Sequence, residues 1–83
     1  MISQNSREIV RQAEWIYENR LKTTLEQSNP DAFVAIEPIS GEYFLGTTLS
    51  KAIGAARRAY PDRLAYALRI GHRTAVHLGA SPR

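Results

Sequence analysis

Apolar positions along the chain fall into two periods. From Ser6 to Gln27 they recur at Ile9, Ala13, Ile16, Tyr17, Leu21 and Leu25, a spacing of three to four that predicts one long amphipathic helix over 6–27. Asn5 or Ser6 stands in the cap place, with Asn5-Ser6-Arg7-Glu8 spaced as a capping box. Glu14, Glu18 and Lys22 line the opposite face, where Glu18 with Lys22 is a favourable pair four residues apart. Ser28-Asn29-Pro30-Asp31 then stops the helix.

The period next changes to two. Phe33 to Glu37 and Glu42 to Gly46 read as strands, and Pro38-Ile39-Ser40-Gly41 reads as the turn of a hairpin over 33–46. A second helix over 49–60 starts from a Thr47 or Thr48 cap. It carries Leu49, Ala52, Ile53, Ala56 and Tyr60 on its apolar face and ends at Pro61. Leu64 to Ile70 alternates heavy (Leu64, Tyr66, Leu68, Ile70) with light (Ala65, Ala67) positions. Gly71-His72-Arg73 turns the chain into a short fourth strand, giving a second hairpin over 64–78, and 79–83 forms a frayed tail.

These elements predict an α+β domain spanning 1–83: an N-terminal helix followed by β-β-α-β-β. The sheet has four mainly antiparallel strands, in the order 2-1-3-4, packed by helices. The first strand is apolar on both sides, Phe33 and Ala35 against Val34 and Ile36. It therefore needs cover on both faces. The second helix supplies one cover. The other is the first helix or a second chain.

Composition narrows the function classes. The chain has 83 residues, 43% of them hydrophobic, enough for one core and not for two. It has no Cys, so neither a disulfide framework nor thiolate chemistry is available. No apolar run approaches the roughly 20 residues of a membrane span. The first residues lack the order of a signal peptide, so a cytoplasmic location is expected, without membrane contact. Charge is divided: residues 1–48 hold four cations and seven acids, and residues 49–83 hold seven cations and Asp62 alone. Such a split serves nucleic-acid binding, or contact with an acidic protein surface, including a copy of the acidic half.

Chemistry-bearing motifs are few. Gly41 to Thr48 has the spacing of a phosphate-binding loop, but Thr47 replaces its lysine and the intervening residues read as strand. His72 and His77 fall on opposite faces of an extended segment, which argues against a shared metal. Glu37 and Glu42 face each other across the hairpin, where solvent screens their coupling. No catalytic residue, metal ligand or cofactor is assigned, and the chain reads as a non-enzyme.

The run Phe33-Val-Ala-Ile-Glu-Pro-Ile-Ser-Gly-Glu-Tyr-Phe-Leu-Gly46, the Ala-rich helix, Tyr60-Pro61-Asp62-Arg63 and Arg69-Ile70-Gly71 together resemble a group of short uncharacterised bacterial proteins, common in cyanobacteria. The resemblance covers about residues 15–78 and implies no activity. In size and layout such proteins are similar to the partners of two-gene modules such as toxin–antitoxin pairs, which implies an antitoxin-like or regulatory role.

The expected function is therefore protein binding, as a homodimer or with a co-expressed partner. Trp15 and Tyr17 would dock from the first helix; Trp15 is either a rim residue of the core or an interface anchor. Gly54, inside the second helix at a cost of about 1 kcal/mol against Ala, with Ala55, Ala56 and Ala59 makes a surface that a second backbone can approach, or else is merely tolerated. Arg57 and Arg58 would set orientation by charge, against Glu14, Glu18 and Glu26 of a partner. The alternative is nucleic-acid binding through Arg57, Arg58, Arg69 and Arg73.

Overall fold

The computed structural model describes residues 6–72 and 75–79. The Asn5 cap, Arg73 and the tail beyond Gly79 lie outside them. The chain is an α+β domain. Helix α1 (Ser6–Ile16) runs through a π turn (Tyr17–Leu21) into α2 (Lys22–Ser28); β1 (Phe33–Glu37), β2 (Glu42–Gly46), α3 (Leu49–Ala59) and β3 (Ala65–Arg69) follow. Strand β1 is central and antiparallel to both neighbours, Ala35 lying beside Phe44 of β2 and Ala67 of β3. The backbone of β4 (Ala75–Gly79) runs antiparallel along the far side of β3, and β2 forms the opposite edge.

Two helical layers cover the sheet. On one face Val34, Ile36, Tyr66, Leu68 and Ile70 meet Ile9, Ala13, Ile16, Tyr17 and Leu25. This resolves the open alternative of the sequence: the first helix closes its own sheet, and its apolar stripe is not free to dock elsewhere. On the other face Ala35, Ala65 and Ala67 meet Ala52 and Ala56 of α3, with Phe33, Phe44, Leu49 and Ile53 around them. Large side chains thus fill one interface, and alanines bring α3 close to the sheet on the other.

The first helix departs from the expected continuous α-helix at Tyr17–Leu21, where the Lys22 amide donates to the Tyr17 carbonyl five residues back. The cause is written in the spacing. Positions 9, 13, 17, 21 and 25 repeat every four residues, and an α-helix turns about 100° per residue, so each step drifts about 40°. By Leu25 the stripe would have left the core. One wide turn absorbs an extra residue and swings Leu21 and Leu25 back by about 100°. Leu25 is accordingly buried against the sheet and Leu21 packs beside it.

Helix α3 begins where expected. The Thr48 hydroxyl accepts from the Lys51 amide at 3.1 Å, a cap that answers one of the helix's open N–H groups. The link from β2 is only Thr47-Thr48, so Gly46 lies against the first turn of the helix. A Cβ on Gly46 would stand 2.5 Å from the Ala52 nitrogen and 2.9 Å from the Lys51 Cβ. Backbone cannot yield as a flexible side chain would.

Two outcomes follow for stability. Deleting the exposed Asn19 converts the π turn to regular α-helix while keeping Leu21 and Leu25 on the core side. The deletion variant is expected to lose no more than about 1 kcal/mol in urea unfolding, whereas Leu25→Ala loses about 2–5 kcal/mol; a deletion as damaging as Leu25→Ala would refute the phasing argument. Gly46→Ala is expected to cost about 1–3 kcal/mol by the same assay, because overpacking here meets main chain.

Candidate interaction surface

The hairpin between β1 and β2 is built around one carboxylate. Glu37, at the end of the central strand, is fully buried. Its side chain accepts from the Ile39 amide at 3.0 Å and the Ser40 amide at 2.8 Å. Arg63, from the loop after α3, donates to the same carboxylate at 3.1 Å. The Ser40 hydroxyl returns a bond to the Glu37 carbonyl at 3.2 Å, and Gly41 closes the turn with φ of 82°, a left-handed conformation suited to glycine. Burial pushes the Glu37 carboxyl up, but the bonds from Ser40, Ile39 and Arg63 outweigh it and hold the group below its ordinary range. Glu37 and Glu42 do face each other, as the spacing predicts. They do not share a solvated hairpin end: Glu37 is enclosed, while Glu42 accepts from the Tyr60 hydroxyl at 2.9 Å on the surface.

This arrangement changes the meaning of the arginine set. Arg63 neutralises Glu37 and lies 4.9 Å from the Tyr60 ring. Arg69 donates to the Asp31 carbonyl at 3.1 Å and sits 5.5 Å from the Phe33 ring. Both serve the fold. Arg57 and Arg58 are exposed on the last turn of α3 and form no ion pair among the described residues. They stand at the Glu37–Glu42 end of the sheet. Arg69, paired with Phe33, lies at the other end. The four-arginine surface is therefore not one patch: Arg57 and Arg58 stay together, Arg69 is apart and engaged, and Arg73 lies outside the described residues.

The expected protein interface is divided as well. Gly54, Arg57 and Arg58 share the outer side of α3, where a Cβ on Gly54 would meet only the Arg58 guanidinium, at 3.7 Å. Trp15 belongs to the opposite helical layer. It is 57% exposed, points away from the core and has the Arg20 guanidinium 5.8 Å from its ring. Tyr17 is a correction: its ring is buried in the core and its hydroxyl donates to Glu26 at 3.3 Å, so it offers no docking surface. Because α1 and α3 cover opposite faces, Arg57 and Arg58 cannot meet Glu14, Glu18 and Glu26 of a second copy reciprocally about one twofold axis.

A cleft of about 640 Å³ lies beside the π turn, lined by Glu14, Tyr17, Glu18, Lys22, Glu26 and Tyr66 among others. Its polar groups answer one another. Tyr66 donates to Glu14 at 3.2 Å, Tyr17 to Glu26, and Lys22 pairs with Glu18 at 3.5 Å. Burial and the Glu14 charge push the Tyr66 phenol up to about 12, and burial raises Tyr17 too, so both remain protonated donors at neutral pH. At the mouth, His72 bonds Asp31 at 2.8 Å. Among the described residues no cluster of metal-ligating side chains occurs.

The surface that sequence reasoning missed is the free edge of the sheet. Tyr43 and Leu45 of β2 are 41% and 39% exposed, and Ile39 in the adjoining turn is 40% exposed. They sit on the α1 side of the sheet, but α1 leans over β1 and β3 and leaves β2 bare. Beside this edge a shallow groove runs from Leu45 and Gly46 to Ser50, Lys51, Gly54, Ala55 and Arg58 of α3. The apolar alternation of β2 was visible in the sequence. That no helix among the described residues fully covers it follows only from its place at the edge. No family model, curated protein or solved structure matches the chain.

Glu37 sets a pH test. The unfolded carboxyl titrates near 4.3, roughly, and the folded one lower, so its stabilisation is complete above that unfolded value and is lost as pH falls through the folded value. Glu37→Gln is expected to lower stability at pH 7 by about 2 kcal/mol, from a lost charged acceptor, and to flatten the acid limb of stability against pH. An unchanged acid limb would remove Glu37 from this role.

Proposed function

We propose that the chain is a small protein-binding module without catalytic activity, dimeric or joined to a co-expressed protein, in an antitoxin-like or regulatory role. The bare β2 edge carries this reading: Tyr43, Leu45 and Ile39 exposed together, next to the small-residue side of α3. Exposed apolar side chains gathered along an open strand edge are costly in water and favour association with another chain. Arg58 lines the groove at this edge, and with the neighbouring Arg57 it would orient a partner by charge. The reading takes the whole chain as a helix followed by β-β-α-β-β with strand order 2-1-3-4, and includes the likeness to the short bacterial proteins.

Nucleic-acid binding is the competing reading, and it rests on Arg57 and Arg58. Against it, Arg63 and Arg69 are committed to Glu37 and Asp31, and Tyr66, which would stack on a base, is buried. Two nearby cations neutralise few phosphates and give only a weak contact.

Titration of labelled single- and double-stranded oligonucleotides at low and physiological salt separates the two. Any binding at low salt is expected to vanish at physiological salt and with Arg57→Glu. Tight binding that persists at physiological salt and depends on Arg57 and Arg58 would replace the protein-binding reading.

A further inference from the structure

We infer that the occupant of the β2 edge is a second copy of this chain, paired antiparallel about Phe44 so that two sheets join into one. This rests on the protein-binding reading and deepens it by naming the partner and the register.

Strand β2 is an edge without the usual protection. It contains no Pro and no Lys, its register with β1 has no bulge, and among the described residues no strand pairs with its outer side. Its two faces are chemically distinct. Phe44 packs under α3, so Glu42, Phe44 and Gly46 look to the α3 side, and Tyr43 and Leu45 to the other.

The strand complements itself. A twofold axis at Phe44 is the register that pairs all five residues, Glu42 to Gly46. On the exposed face it sets Tyr43 of each copy opposite Leu45 of the other, two aromatic–aliphatic pairs of the kind that stabilise sheets. On the α3 face it sets Glu42 opposite Gly46 of the other copy. Gly46 has no side chain and lies against the Lys51 stem, so the arrangement avoids facing Glu42 with its own image. Axes at Tyr43 or Leu45 pair fewer strand residues and bring turn residues opposite the strand. The groove at the same edge is floored by Gly54 and Ala55, which leaves room for the two α3 helices to lie side by side. The contact is isologous, so it closes at two copies.

The test combines mass with covalent trapping. Light scattering of the wild-type chain over a wide concentration range is expected to pass from 9.3 kDa to twice that mass, with little effect of salt. Leu45→Lys is expected to weaken dimerisation roughly tenfold or more while leaving the melting temperature in place at dilutions where both proteins are monomeric, because Leu45 lies outside the core. The chain has no Cys, so single cysteines report only contacts between copies. A mixture of Tyr43→Cys and Leu45→Cys is expected to oxidise to a mixed covalent dimer in higher yield than either variant alone, since a disulfide demands close Cα atoms. A monomer at every concentration overturns the inference while leaving the protein-binding reading, which fails instead on the oligonucleotide result. Self-linking of Tyr43→Cys in preference to the mixed pair overturns the register.

Discussion

Four consecutive residues of the central strand, Val34 to Glu37, have no exposed surface at all, and enclosing them takes both flanking strands and both helical layers. Three of the four are apolar and gain from burial. The fourth is a carboxylate, which tolerates burial only because Ile39, Ser40 and Arg63 supply donors at its tip. Those donors come from the hairpin turn and from the loop that follows α3. The bonds that neutralise Glu37 therefore also fix where β2 turns back and where the chain re-enters the sheet after α3.

The two layers meet this strand by different means. Under α3 the sheet presents alanines to alanines, and Gly46 removes the one Cβ that would hold strand and helix apart. Close approach gives tight packing with few large side chains. Under α1 and α2 the contact is made by isoleucine, leucine and tyrosine, and the helix itself adjusts. Its four-residue apolar repeat is kept on the sheet by one π turn, which returns Leu21 and Leu25 to the core. Two positions are about 200° of helical rotation, so Trp15 and Tyr17 fall on opposite sides of the helix and have opposite fates.

The same economy leaves one strand only partly covered among the described residues. Helix α1 reaches β1 and β3 and stops short of β2, so the apolar alternation of β2 is satisfied on the α3 side and open on the other. The binding proposal arises from this asymmetry. Charge plays a secondary part, because the fold consumes Arg63 and Arg69 and leaves Arg57 and Arg58 at the end of α3.

Local pattern alone determined the α+β class, the hairpin turn at Pro38–Gly41, the Thr48 cap, and the sorting of heavy and light residues onto the faces of β1 and β3. Each depends on residues within a few positions of one another, where period and turn chemistry act directly. The tertiary structure decided that the first helix covers its own sheet, that Glu37 is enclosed with Arg63 twenty-six positions away, that Tyr17 is core, and that β2 is the bare edge. These depend on which distant segments become neighbours. Side-chain spacing carries no record of that, because an apolar face reads the same whether its own chain or another one covers it.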